Sequence, residues 1–224
     1  MSNILIPSPG SSAWQQFLAE PDKQWRSGYS AKTLACCWED CDGLPVEIGR
    51  LFAADFNEVP ELLLAIPEHK VALPGGTRAS QIDVFALLRV AGQTASVAVE
   101  GKVAEPFGPT LDEWLANPSN GKQSRLAYLR GLLGLPDDIP GELRYQLLHR
   151  AGSAIVEANR FKTDSAAMIV HSFSPERIGF DSYSSFLEIL GVDYHEEALS
   201  SAMLPDGRKL YMGWANGDHK YCGM

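Results

Sequence analysis

Residues 80–107 read SQIDVFALLRVAGQTASVAVEGKVAEPF. Two apolar runs inside this stretch, residues 82–90 and 97–103, have strand length, and residues 91–96 suit the connection of an antiparallel hairpin. In a strand, residues two apart share a face, so Glu100 and Lys102 point the same way. Pairing Val90 near Val97 sets Asp83 opposite Ala104, on the face that carries Glu100 and Lys102. Two carboxylates and an ammonium then converge on an otherwise apolar hairpin. Hard oxygen ligands of this kind suit a divalent cation, beside a group that orients water or steadies a developing anion.

The chain on either side of the hairpin predicts an α/β fold. Upstream, Ser30 can cap a helix whose apolar stripe is Leu34 and Trp38, ended by Asp42 and Gly43. Pro45 suits the first position of a following helix, and Glu47 falls in its first turn. Residues 61–65 and 69–73 are short runs split by Pro67, one early strand, before the turn at Pro74, Gly75 and Gly76. Downstream, residues 110–115 and 124–133 read as helices. Leu143, Leu147, Ala151, Ala154, Ile155 and Ala158 recur at helical spacing and predict a longer helix over 141–159. Residues 166–173 form an apolar run of strand length, which makes strand, helix, parallel strand a crossover against the sheet. The order is αβββαβ, a core over about 45–173 with a mixed central sheet and flanking helices. It is preceded by a helical part at 11–41 and followed by a C-terminal extension at 174–224, which holds a helix over 182–190 and a strand over 209–214. No linker divides residues 1–224, and a single domain of this length carries a sizeable core.

Net charge is −9. That argues against indiscriminate nucleic-acid binding by a wholly basic surface. The sign is uneven, however: Lys122, Arg125, Arg130, Arg144, Arg150, Arg160 and Lys162 outnumber the acids Asp137, Asp138, Glu142 and Glu157 in their segment. An anionic partner is expected on the side that this segment builds. Cys36, Cys37, Cys41 and Cys222 are too few for a disulfide scaffold, and their spacing lacks the second Cys pair or His pair that a zinc site wants, so reduced, buried thiols rather than zinc are the reading. Residues 1–10 lack a basic segment followed by a long apolar run, and no stretch approaches the ~20 residues that span a bilayer. A cytoplasmic location without a membrane partner is the expectation.

The order of elements, with Asp83 opening one central strand and Glu100-x-Lys102 in the next, resembles the PD-(D/E)XK nuclease superfamily, whose fold is called restriction-endonuclease-like. The resemblance covers about residues 45–173. Ser80-Gln81-Ile82-Asp83 and the run from Glu100 to Gly108 are also similar to a small bacterial branch of uncharacterised proteins grouped with these nucleases. The resemblance implies that Asp83 and Glu100 bind Mg²⁺ or Mn²⁺ and that Lys102 positions or activates the attacking water. Ile82 stands where the superfamily's motif often has proline. Many members carry a further acid on the first core helix, which makes Glu47 the candidate third metal ligand and Glu39 the reserve. Some branches place a glutamine on the helix after the sheet, and Gln146 occupies that position here. Arg150, one turn further, and Arg125 are the candidate phosphate-binding residues, while Arg144 and His149 are expected to point elsewhere.

Each feature also has a plainer reading. An E-x-K tripeptide on a strand is common as an ion pair, a first-turn acid serves the helix dipole, and Gln146 with Arg150 suits a solvated helix face. His171 reads as a core or sheet-edge histidine, and Glu105 falls on the opposite face of the strand from Glu100. Two functions follow. One is a divalent-metal-dependent phosphodiester hydrolase, a nuclease whose acidic surface restricts it to an end, a flap or a short single strand. A homodimer, or a protein partner that delivers the substrate, would serve the same end. The other is a catalytically inactive binding module on the same fold. Nothing in the sequence chooses between DNA and RNA.

Overall fold

The computed structural model describes residues 9–41 and 43–224. Asp42, half of the expected stop signal after the Cys41 helix, lies outside the described residues, as does most of the 1–10 stretch. Helices α1 (Pro21–Gln24), α2 (Ser30–Asp40) and α3 (Val46–Phe56) precede three strands, β1 (Glu61–Val71), β2 (Ser80–Val90) and β3 (Gln93–Lys102). Then come α4 (Leu111–Leu115), α5 (Asn120–Leu133) and α6 (Tyr145–Phe161), β4 (Ser165–Ser172), α7 (Phe180–Ile189), β5 (Ser200–Met203) and β6 (Lys209–Asn216). The strands form one mixed sheet in the order β1-β2-β3-β4-β6-β5. β1, β2 and β3 are antiparallel, β4 is parallel to both β3 and β6, and β5 returns antiparallel on β6. The succession α3-β1-β2-β3-α6-β4 is the αβββαβ order.

Both faces of the sheet are covered, and the alternation along each strand sorts side chains between them. Ala98, Met168 and Val170 pack with α5, α6 and α7 through Leu129, Leu147, Ile155 and Phe186. Val97, Val99 and Ile169 pack with α2 and α3 through Leu34, Trp38, Leu51 and Phe52, joined by Trp14. β4 is buried along its whole length, as a parallel strand covered on both sides must be.

Several element boundaries differ from the sequence reading for definite reasons. Ala91 and Gly92 alone make the hairpin turn, with φ of 49° and 73°, so Val90 pairs with Gln93 rather than Val97. Residues 93–96 are strand instead of loop. The displacement is even, so every side chain keeps its predicted face. Pro67 does not split β1, because β1 is an edge strand and pairs on one side only. Residues 141–144 are not helical: Leu111 and Asp112 donate their N–H groups to the Leu143 and Gly141 carbonyls, and α6 starts at Tyr145. Pro45 is the N-cap of α3 rather than its first residue. β5, four residues without an apolar alternation, had no signature in the sequence.

The turn carries a test. Ala91 is exposed and adopts the left-handed conformation that a two-residue hairpin turn demands and that Asn tolerates better than Ala. Ala91→Asn is expected to raise stability by about 0.5–1 kcal/mol in urea unfolding, with an unchanged m value.

Candidate functional site

Glu100 lies at the centre of the charged cluster, near the carboxyl end of β3, with its side chain only 3% exposed. Its Oε1 accepts from Lys102 Nζ at 2.7 Å and from Gln146 Nε2 at 2.6 Å, and its Oε2 accepts from Arg150 Nε. Lys102 Nζ also donates to Gln146 Oε1 at 3.3 Å and stands 4.8 Å from the centroid of the Phe107 ring. Arg150 Nη2 reaches Asp83 Oδ1 at 3.5 Å, so one guanidinium bridges the carboxylates of two strands. Gln146 and Arg150 are four apart on α6 and therefore share the helix face laid over β3. Asp83, Glu100, Lys102, Gln146 and Arg150 are thus brought together.

Three carboxylates occupy neighbouring strands at one level. Val84 pairs with Val99, which sets Asp83 level with Glu100. On the other side, Pro67 pairs with Val84 and His69 with Ile82, which sets Glu68 level with Asp83. Glu68 has φ of 53°, an uncommon conformation for a non-glycine residue inside a strand, and its Oε2 accepts from Gln81 Nε2 at 2.7 Å. The sequence offered no sign of Glu68, since it follows Pro67 in what reads as a break between strands. Only the pairing register aligns it with Asp83.

Glu47 goes elsewhere. The expected first turn of α3 is present, but α3 covers the opposite face of the sheet, and Glu47 Oε1 is 2.6 Å from His171 Nε2. His171 pairs in register with Gly101, between Glu100 and Lys102, so strand alternation turns it away from them. The acid that stands level with Asp83 is therefore Glu68 and not Glu47. Glu39, the reserve acid, is engaged by Trp14 Nε1 at 2.7 Å. Glu105 accepts from the backbone N–H groups of Ser30 and Val103. Gly101 is small for a reason: a Cβ there would meet Leu34 Cδ2 at 3.2 Å, and its N–H donates to Asp83 Oδ2 at 2.9 Å.

His149 turns toward the cluster, contrary to expectation. Its Nδ1 lies 2.9 Å from Ser80 Oγ and 3.3 Å from Arg150 Nη1. Because the guanidinium can only donate, Nδ1 is the acceptor and the ring proton belongs on Nε2. Burial and the neighbouring Arg150 charge hold the His149 pKa well below its usual value, so the ring is neutral. Arg144 donates to the Gly108 carbonyl. Arg125 donates to the carbonyls of Leu73, Pro74 and Gly76 and clamps that turn, so little of its guanidinium is left for a ligand.

Burial and the neighbouring Glu100 charge push the Asp83 carboxyl up to about 7. Burial and Asp83 likewise push Glu68 up to about 8. Glu100 moves the other way: burial opposes ionisation, but Arg150 and Lys102 outweigh it and hold the group well below the usual carboxylate range. The cluster therefore has one permanent carboxylate and two that ionise near neutrality.

A cleft of about 670 Å³ opens beside the cluster, with Ser80, Gln146, His149 and Arg150 forming the shared wall. Lys70, Arg78 and Arg125 also line it, and no acid does among the described residues. Trp114 and Tyr145, stacked with ring centroids 3.9 Å apart, supply an aromatic surface on the same cleft.

A family model described as a domain of unknown function, DUF6946, matches residues 7–219. The chain belongs to the DUF6946 family. No curated protein and no solved structure matches it. The match takes in every residue of the cluster and of the cleft wall, from Glu68 to Arg150. No helix among the described residues of this DUF6946 chain is long and apolar enough to cross a membrane.

Two outcomes follow from these charges. Arg150→Met is expected to cost about 3–5 kcal/mol of stability in denaturant unfolding, more at pH 8 than at pH 6, where Asp83 and Glu68 take up protons instead. Asp83 and Glu68 have folded pKa values above their unfolded ones. Their contribution is complete below the unfolded values, near 4, and is lost as pH rises through about 7 to 8. The Tm of metal-free protein should therefore fall between pH 5 and pH 8. A calorimetric scan series on Asp83→Asn should show a flatter profile; an equally steep one would reject the assignment.

Proposed function

We propose that the chain is a divalent-metal-dependent phosphodiester hydrolase of the restriction-endonuclease-like type, acting on a restricted nucleic-acid substrate. The observation that carries the reading is a row of three carboxylates, Glu68, Asp83 and Glu100, beside a cleft whose charged lining residues are all cationic. The chemistry of the donors suits Mg²⁺ or Mn²⁺, since the oxygens are hard, Asp83 and Glu68 ionise near neutrality and Asp83 is 19% exposed; the three carboxylates do not converge within 4.8 Å of one another, so an ion would have to draw them together. Such an ion, when bound, lowers the pKa of water and offsets charge on the phosphoryl oxygens.

The chain's own residues do the rest. Lys102 Nζ, held between Glu100 and Gln146, is the group to which this reading gives the orientation of the attacking water. Arg150 and Arg78 supply positive charge to the phosphodiester along the cleft. An acidic chain of net charge −9 that is cationic at this cleft suits a single strand, a flap or an end better than an intact duplex. The reacting groups lie where β3 and β4 end, outside the carboxyl ends of parallel strands, a position favoured for ligands in open α/β sheets. The four cysteines are free, which accords with a reducing compartment such as the cytoplasm.

One observation favours the second reading, a binding module without turnover. Arg150 and Lys102 already neutralise Glu100, so that carboxylate is satisfied without a metal. The two readings separate by assay. Purified protein with Mn²⁺ is expected to cleave single-stranded or flapped DNA or RNA, and Lys102→Ala to lower the rate by about 10²–10⁴-fold. Calorimetric Mn²⁺ affinity should rise with pH up to about 8, as Asp83 and Glu68 lose their protons, and vanish in Asp83→Ala. Nucleic-acid binding with neither cleavage nor Mn²⁺ uptake would establish the binding module instead.

A further inference from the structure

On the face of the sheet away from Glu100, three residues from three elements meet. Cys37 of α2, Glu47 of α3 and His171 of β4 bring one ligand atom each to within 4.8 Å of one another. His171 Nε2 is 2.6 Å from Glu47 Oε1, and Cys37 Sγ is 3.9 Å from the same oxygen. Cys41, the C-cap of α2, follows Cys37 by four residues and is half-buried. We propose that Cys37, Cys41, Glu47 and His171 form a second cation site, for zinc.

The chemistry of the donors selects the ion. Two sulfurs, an imidazole and one carboxylate are the ligands of a borderline-soft metal, not of Mg²⁺, and four protein ligands with no open position define a structural centre. In a tetrahedron with zinc–ligand distances of about 2.0–2.3 Å, ligand atoms stand roughly 3.3–3.8 Å apart. The three atoms already present need only a small contraction, and the proposal takes Cys41, four residues after Cys37, as the fourth ligand. His171 has no exposed surface, and the nitrogen it turns toward Glu47 and Cys37 is Nε2. A nucleophilic cysteine is the wrong interpretation of the same residues. Cys37 is 1% exposed, and its neighbours Cys41 and Glu47, together with burial, push its thiol far up. Direct coordination is what would make that sulfur a thiolate.

The consequence is mechanical. An ion at this position clamps α2 and α3 to the end of β4, next to Gly101, whose N–H holds Asp83 from the other side. It fastens the helical layer without taking part in the chemistry on the opposite face.

Cobalt tests the proposal on the full chain. Metal-free, reduced protein titrated with Co²⁺ is expected to develop a thiolate-to-cobalt charge-transfer band and the intense visible bands of a four-coordinate ion. They should saturate near one ion per chain and be bleached by Zn²⁺. Cys41→Ser, at a half-buried position that tolerates the change, should weaken the charge-transfer band, and Cys37→Ser should remove most of it. Glu100→Gln should leave both bands intact while removing Mn²⁺ uptake, which separates this site from the one proposed above. Zn²⁺ at a hundredfold excess over Kd should raise the wild-type Tm by about 5–10 °C. A folded wild-type chain that gives no thiolate band and no Tm shift overturns the proposal, as does a band that persists in both cysteine variants.

Discussion

An ionised carboxylate on the third strand of a sheet covered on both faces is the constraint on which the site depends. Desolvating such a charge costs several kcal/mol unless hydrogen-bonding cations surround it. Glu100 is neutralised by Lys102 from its own strand and by Arg150 from α6, with Gln146 filling the remaining lone-pair direction. Those partners dictate where α6 lies: the helix must set one turn over the end of β3, with its apolar stripe, Leu147, Ala151 and Ile155, continuing along the sheet. The same guanidinium then reaches Asp83, so the hairpin register and the helix docking are tied to one another through Arg150.

A buried network of this kind adds specificity more reliably than stability, since a well-packed apolar substitute of the same volume often does as well. Here it also leaves an imbalance. Two cations face three carboxylates, and the surplus appears as the raised ionisation of Asp83 and Glu68. That surplus, open to solvent through Asp83, distinguishes the cluster from an ordinary internal ion pair and underlies the functional reading. The acidic net charge of the chain does not oppose it, because the charged residues lining the adjoining cleft are cationic.

The sheet divides the chemistry between its faces. Residue parity on β3 and β4 sends Glu100 and Lys102 toward α6, and His171 toward α2 and α3. Gly101 is the point of contact between the two, bare of a side chain because Leu34 approaches from one side and Asp83 from beside it. Cys37, Glu47 and His171 lie far apart in the chain, at 37, 47 and 171, so no spacing rule could have joined them. Glu47, sought as a partner for Asp83, belongs to this second group.

Local physics made much of the protein legible without coordinates. Period-two alternation placed Asp83, Glu100 and Lys102 on one face, and that survived an even error in register, because parity is a property of the strand alone. The 3.6-residue repeat placed Gln146 and Arg150 on one side of α6, and the αβββαβ order followed from counting elements. Pairing partners and helix docking are not local. Which strand edge Glu68 shares with Asp83, which face α3 covers and where His149 and Arg125 spend their donors are set by contacts between residues distant in sequence. The sequence by itself therefore determined the charged trio and the order of elements. Only the tertiary structure decided what stands beside the trio, because register and layer assignment depend on the whole sheet being closed and covered at once.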